Sequence, residues 1–329
     1  MPIPNDPLGR DWIEVSGTSP ALVEQFRPTL VAFLAFDRDR VPSLAGTGFI
    51  IAGLSDLALI ITAKHVLSEG VMRIQRPTPR HAPSALFVTS SSTIPSLSPE
   101  RLKVAWMGTQ SAGLLNVVHA SYNDSTDLAC CVVTLQELDP PPFAPMSVPL
   151  QTTSPTVGDV VQMVTLDGMD VTELTVPFDH TGKGQEFRVT RRVSIRIGTV
   201  TAVYPTGYRQ YSWPCFTTSI PAEPGMSGGF VYLPVHGTTV AACGVVCADN
   251  STDEARASNF LVGESVVACA WPSLALRVPI TIPSAPTSGT RTLLEMVVSG
   301  DMDPPVGGVD HIRVVSLSDG NCVIKNQGQ

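Results

Sequence analysis

The chain is short of charge and of aromatic rings: 15% of its 329 residues are Asp, Glu, Lys or Arg, and 6% are Phe, Trp or Tyr. Its net charge is −8, so there is no positive excess to follow a phosphate backbone, and no nucleic acid is expected as partner. Long apolar runs are missing too. The most hydrophobic stretch, "FIIAGLSDLALIITA", is interrupted by Ser55 and Asp56, so no membrane partner is expected. The opening "MPIPNDPLGRDWIEV" has neither the basic start nor the apolar stretch of a leader. No C-x-x-C, H-x-x-x-H or H-x-H spacing occurs, which argues against zinc, and neither a metal nor another cofactor is expected. The seven cysteines are odd in number and two of them, Cys130 and Cys131, are adjacent. They do not read as a paired secreted framework, and a reducing cytoplasm is the expected setting. Cys243 and Cys247 bracket "GVV", which reads as a buried strand in which free cysteine acts as a small hydrophobe.

What is abundant is short, β-branched and apolar. "LVAFLAF", "LALIITA", "LACCVVTL", "VVQMVTL", "RRVSIRI", "GTVTAVY" and "TVAACGVVCA" are separated by Gly, Pro, Asn and Asp, an all-β pattern. Helical periodicity appears only in "SPALVEQF", "PSLALRV" and "RTLLEMVV", and the absence of strand–helix alternation rules against a doubly wound sheet. The proline-dense "LDPPPFAP" separates two strand-rich halves, read as two barrels or sandwiches. The layout expected is an N-terminal extension (1–27), a first β-barrel (28–139), a linker (140–145), a second β-barrel (146–278) and a C-terminal extension (279–329). In that last part a helix is followed by a hairpin around "SDGN", a unit that either packs back on the barrels or mediates assembly with a partner or a second copy.

The stretch "PAEPGMSGGFVY" (221–232) sets Ser227 among glycines at the mouth of a strand. A serine hydroxyl is a weak nucleophile until an imidazole removes its proton and a carboxylate fixes that imidazole's tautomer. His65 in "IITAKHVL" and Asp127 in "YNDSTDLACCVV" both stand at strand ends, where a site can be displayed. Asp124 competes with Asp127, and either residue could instead cap the turn.

In these motifs the chain resembles the trypsin-like, chymotrypsin-fold serine peptidases. "TAKHV", "TDLA" and "PGMSGG" match that family's histidine, aspartate and serine segments in the family's order. The separations of 62 and 100 residues put histidine and aspartate in the first half and serine in the second. "GTGFII", "VGDVVQMVTLDG", "GTVTAVYPTG" and "VACAWPSLAL" are most similar to the Deg or HtrA-type branch without a PDZ module, across roughly residues 28–277. The resemblance implies two six-stranded antiparallel barrels and a catalytic triad of His65, Asp127 and Ser227, with Asp127 preferred because it alone precedes "LA". It also implies an oxyanion hole from the N–H groups of Gly225 and Ser227 and a protein or peptide substrate. Two departures stand out: no cysteine flanks His65, and Met226 occupies the position where cleavage-activated members carry an aspartate. Activation by a newly cut N-terminus is therefore not expected.

The same likeness places the substrate pocket near Pro221, Ala222, Val246 and Cys247. With no carboxylate at its base and Glu223 nearer the rim, cleavage after small or medium aliphatic residues is expected. Two rivals remain: a catalytically silent protease-fold binding module, and an α/β-hydrolase esterase using Ser227, then Asp301 or Asp303, then His311. The second needs a helix after the serine, whereas "GFVYLPVHGTTVAACGVV" reads as strand, turn, strand.

Overall fold

A computed structural model describes residues 11–36, 42–54, 57–70, 87–89, 91–93, 102–108, 112–123, 126–135, 146–174, 186–208, 211, 213–234, 240–247, 264–279, 290–316 and 322–327. The linker 140–145 and Asp124 lie outside the described residues. The chain enters through β1 (Ile13–Glu14) and α1 (Pro20–Phe26). The first half then supplies β2 (Leu30–Phe36), β3 (Pro42–Leu54), β4 (Leu57–Ala63), α2 (Lys64–Gly70), β5 (Phe87–Thr89), β6 (Ser91–Thr93), β7 (Leu102–Met107), β8 (Ala112–Asn123) and β9 (Leu128–Thr134). Strands pair antiparallel in the order β7-β2-β3-β4-β9-β8, and β8 returns to β7, closing a six-stranded barrel.

The second half repeats the plan. It contains β10 (Val160–Leu174), β11 (Glu186–Tyr204), β12 (Cys215–Thr218), β13 (Phe230–Tyr232), β14 (Ala242–Val246) and β15 (Ser265–Cys269). The order β11-β10-β13-β14-β15-β12 closes where β12 pairs with β11, and β1 is added outside β11. Two closed six-stranded antiparallel barrels make this the chymotrypsin-like all-β fold. The α/β-hydrolase alternative fails here, because strand β13 and not a helix follows Ser227.

The unbroken apolar runs are explained by burial on both faces. Successive side chains of a strand point to opposite sides, and in β2, β4 and β9 each side meets a different core. Val31, Phe33, Ala58, Ile60, Ala129 and Cys131 fill the first barrel. Their neighbours Leu30, Ala32, Leu59, Ile61, Leu128 and Cys130 join the second barrel's core in one continuous cluster. The adjacent cysteines thus face opposite ways, which is why neither needs a partner. Phe49 and Phe230 meet across the junction with ring centroids 5.1 Å apart, and Phe26 stands edge-on to Phe230 at 5.7 Å.

Beyond the barrels, "PSLALRV" is not the α-helix its periodicity suggests. Residues Trp271–Ala275 form a single 3-10 turn that is entirely buried, and Arg277–Pro279 then run on as β16. β16 pairs with β17 (Thr290–Thr292), and α3 (Leu293–Ser299) starts in a capping box between Thr292 and Glu295. β18 (Ile312–Ser316) and β19 (Cys322–Asn326) form a hairpin that extends onto β5. Leu293, Met296, Ile312 and Ile324 enter the main core, and Thr152 bonds the carbonyls of Val306 and Gly308. The C-terminal extension therefore packs back on the body. No helix among the described residues is long and apolar enough to cross a membrane.

Among the described residues, six cysteines are buried and unpaired. Burial pushes the Cys130 thiol up to about 12 and Cys269 to about 11, and drives Cys131, Cys215, Cys243 and Cys247 upward as well. Above about pH 9 the unfolded chain sheds thiol protons that the folded chain keeps, so stability falls as pH rises, by about 1.4 kcal/mol per thiol per pH unit. Brief alkylation of native protein at pH 8 is expected to leave these six unmodified by peptide mapping. Melting temperature is expected to drop steeply between pH 9 and 11; a flat profile would refute the assignment.

Candidate active site

The end of β4 becomes α2 at "TAKHV", and His65 is the second residue of that helix. The first N–H groups of a helix have no partner within it, and here Asp127 supplies them. Its carbonyl accepts from Lys64 N–H at 3.0 Å and its carboxylate Oδ1 accepts from His65 N–H at 3.0 Å. The other oxygen, Oδ2, lies 2.7 Å from His65 Nδ1. One carboxylate thus holds both the backbone and the ring of the same residue. The pair is largely sheltered, with side-chain exposures of 27% for His65 and 13% for Asp127. Asp127 reaches this place because it immediately precedes β9, which is paired to β4 along its whole length. The thiol of Cys247, on the second barrel, approaches the Asp127 carbonyl at 3.9 Å. Burial first, and the Asp127 charge second, keep that thiol protonated.

Ser227 is 5% exposed and sits in a turn that the two barrels hold jointly. Met226 N–H bonds the Glu223 carbonyl at 3.0 Å, and Gly229 N–H bonds the Met226 carbonyl at 3.0 Å. Gly225 and Gly228 have φ of +92° and +88°, a conformation that costs a side-chain-bearing residue about 1–2 kcal/mol. At Gly228 there is no space either: a Cβ would lie 1.9 Å from the Thr47 carbonyl oxygen and 2.3 Å from Thr62 Oγ1. The turn that carries Ser227 is therefore pressed against β3 and β4. Gly46 shows the same closeness, since a Cβ there would meet Val66 at 2.6 Å and the Ser227 carbonyl at 2.9 Å.

Thr47, in "GTGF", escaped the sequence reading as a site residue. It is wholly buried. Its hydroxyl donates to the Gly225 carbonyl at 2.7 Å and accepts Leu166 N–H at 3.2 Å, while its N–H donates to the Ser227 carbonyl at 2.8 Å. Its carbonyl accepts the Thr62 hydroxyl at 2.6 Å. Met169 is a second omission: its methyl is the atom that a Cβ on Gly225 would meet, at 3.0 Å. A short, common pattern such as G-T-G-F gives no sign of these long-range bonds.

The residues expected to form the substrate pocket divide. Val246 and Cys247 belong to the continuous core, at 0% and 4% exposure, and the Val246 carbonyl accepts Gly228 N–H at 2.8 Å. Ala222 is also buried, and Pro221 is half-buried. Glu223 is half-exposed, but its carboxylate lies 2.6 Å from the Arg196 guanidinium. Met226 is completely buried, and its sulfur lies 3.4 Å from Glu223 N. Asp301, named in the esterase alternative, is engaged by Arg291 at 2.8 Å in the C-terminal extension. Among the described residues, no group of three or more His, Cys, Asp and Glu gathers as a metal site would require.

A double barrel with a histidine–carboxylate pair on one half and a glycine-flanked serine turn on the other is the arrangement of a peptidase domain. The family model described as trypsin-like peptidase domain matches residues 46–241, and the chain belongs to that family. The match begins at "GTGF" and includes His65, Asp127 and Ser227. No curated protein matches the chain significantly.

Two substitutions test the joint turn. Thr47→Val removes the hydroxyl and leaves the Gly225 carbonyl and Leu166 N–H unsatisfied, each worth about 1–3 kcal/mol when buried. Gly228→Ala meets both the positive φ and the Thr47 carbonyl, and is expected to be the more damaging. Thermal melting should rank them wild type, Thr47→Val, Gly228→Ala; equal stability of all three would contradict the packing described.

Proposed function

We propose that the protein is a serine endopeptidase, similar in kind to the Deg or HtrA-type enzymes, that hydrolyses peptide bonds through an acyl-enzyme. The observation that carries the proposal is the 2.7 Å contact between His65 Nδ1 and Asp127. A carboxylate on Nδ1 selects the tautomer whose Nε2 is basic and stabilises the imidazolium that forms when Nε2 takes a proton. In this mechanism Ser227 Oγ attacks the peptide carbonyl as its proton passes to His65. The N–H groups of Gly225 and Ser227 receive the developing oxyanion. His65 then donates the proton to the leaving amine, and water, deprotonated by His65, releases the acyl group. Each turnover restores the hydroxyl and the neutral imidazole.

We further propose cleavage after small or medium aliphatic residues. The support is electrostatic: Glu223, the one carboxylate in 221–227, is matched by Arg196 and leaves no uncompensated negative charge to attract Lys or Arg. Each buried methylene then discriminates by about 1–3 kcal/mol.

A fluorophosphonate probe should label intact, fully reduced protein at Ser227, located by mass spectrometry. Ser227→Ala and His65→Ala are expected to abolish labelling and peptide hydrolysis while melting at the wild-type temperature. Asp127→Asn should lower kcat by about 10⁴-fold. Folded wild type that takes up no probe would overturn the serine mechanism and favour a silent binding module.

Cleavage-site profiling on a denatured proteome tests the specificity. Val, Ala and Leu should dominate before the scissile bond. A Lys/Arg signature abolished by Glu223→Gln would overturn the apolar preference.

A further inference from the structure

Arg196 is a buried cation with no role in the mechanism above. It sits on β11 at 3% exposure, where the N-terminal segment covers that strand. Taking a guanidinium out of water is costly unless its donors are matched; Nε is buried with no hydrogen-bond partner among the described residues, and the partners of the two terminal nitrogens converge on one place. One terminal nitrogen donates to the Pro221 carbonyl at 3.1 Å, and the other donates to Glu223 Oε1 at 2.6 Å. Asp167, from β10, adds a carboxylate at 3.7 Å. The indole of Trp12 covers the guanidinium, 4.9 Å from ring centroid to Cζ.

The cover comes from the N-terminal segment. β1 pairs Ile13 with Ile197 and Glu14 with Arg196 itself, and Glu14 lies 3.5 Å from Arg192, which also holds Asp167. The Ser219 hydroxyl bonds the Asp11 carbonyl at 2.9 Å, tying the same segment to the residues that lead into the turn. Residues 221–223 are where that turn begins, since Met226 N–H closes on the Glu223 carbonyl. Thr47 fixes the far side at Gly225. The turn therefore has two anchors, one from each barrel.

We propose that Arg196 is a positioning residue. It fixes residues 221–223 from the second barrel, and with Thr47 it holds the N–H groups of Gly225 and Ser227 in the orientation that receives an oxyanion. Trp12 of the N-terminal segment shields this anchor from water. The consequence for rate rests on the serine-peptidase reading; the anchoring itself does not.

The test uses the full chain and combines hydrogen–deuterium exchange of the segment 222–229 with kcat, KM, melting temperature and affinity for a peptide boronate, which mimics the tetrahedral adduct. Arg196→Met is expected to quicken exchange in that segment without altering β2 to β4. It should lower kcat about 10- to 100-fold while KM changes less than about threefold. Boronate affinity should fall in parallel with kcat/KM. Arg196→Lys keeps the charge but not the planar fork, and should fall between the two. Where Arg196→Met does not fold, Glu223→Ala, at a half-exposed position, serves as the second probe and should quicken exchange in the same segment. Unchanged exchange in the folded variants, or a lower melting temperature with kcat intact, overturns the proposal. Quickened exchange in a protein whose wild type ignores fluorophosphonates would sink the serine reading and leave the anchor standing.

Discussion

The serine turn is bonded to the first barrel through Thr47. Thr47 leaves β3 with its hydroxyl, N–H and carbonyl all engaged, and the first two contacts are with the serine turn on the other barrel. Serine and histidine are carried by separate units, so their mutual position depends on how rigidly those units are joined. Apolar packing alone sets a distance less sharply than a directional bond does. The continuous core across the junction supplies the adhesion; the Thr47 bonds supply the register. Gly228 belongs to the same constraint, since any side chain there would separate the Thr47 carbonyl from the turn.

The carboxylate of Asp127 imposes a comparable economy on the first barrel. It caps α2 and orients the ring of the residue it caps, so forming the helix and aligning the imidazole are one event. A β9 register slip of one residue would turn every side chain of that strand to its other face. The strand is protected against this by needing Leu128, Cys130 and Val132 on the junction and Ala129, Cys131 and Val133 inside the barrel. Because both faces are apolar, the register is held by shape and by pairing to β4 and β8, and Asp127 is delivered to the strand's mouth.

The fold was largely legible because its determinants are local. Short β-branched runs broken by Gly and Pro give strands wherever they are buried, and the order of "TAKHV", "TDLA" and "PGMSGG" distributes the proposed chemistry between two halves. The one helical pattern that failed, "PSLALRV", has period but no exposed face. Trp271 through Leu276 are all buried, and a segment enclosed on every side follows its surroundings more than its amphipathic pattern. Thr47, Met169, Trp12 and Arg196 were invisible for a different reason. Their contacts with the serine turn and with one another span 25 to 184 positions of the chain, and no periodicity or spacing encodes them.

An amide in place of the Asp127 carboxylate shows how much of the site rests on a single charge. Both carboxylate oxygens are acceptors, one used by a backbone N–H and one facing Nδ1. An asparagine has one carbonyl oxygen and one NH2. Keeping the oxygen on the His65 N–H preserves the cap of α2 but turns the NH2 toward Nδ1, which must then accept, leaving the ring proton on Nε2 and removing the base that the proposed mechanism requires. Turning the oxygen to Nδ1 keeps the tautomer but confronts the helix N–H with a donor. Only the carboxylate satisfies the helix and the imidazole together, so at this position folding and the proposed chemistry select the same side chain.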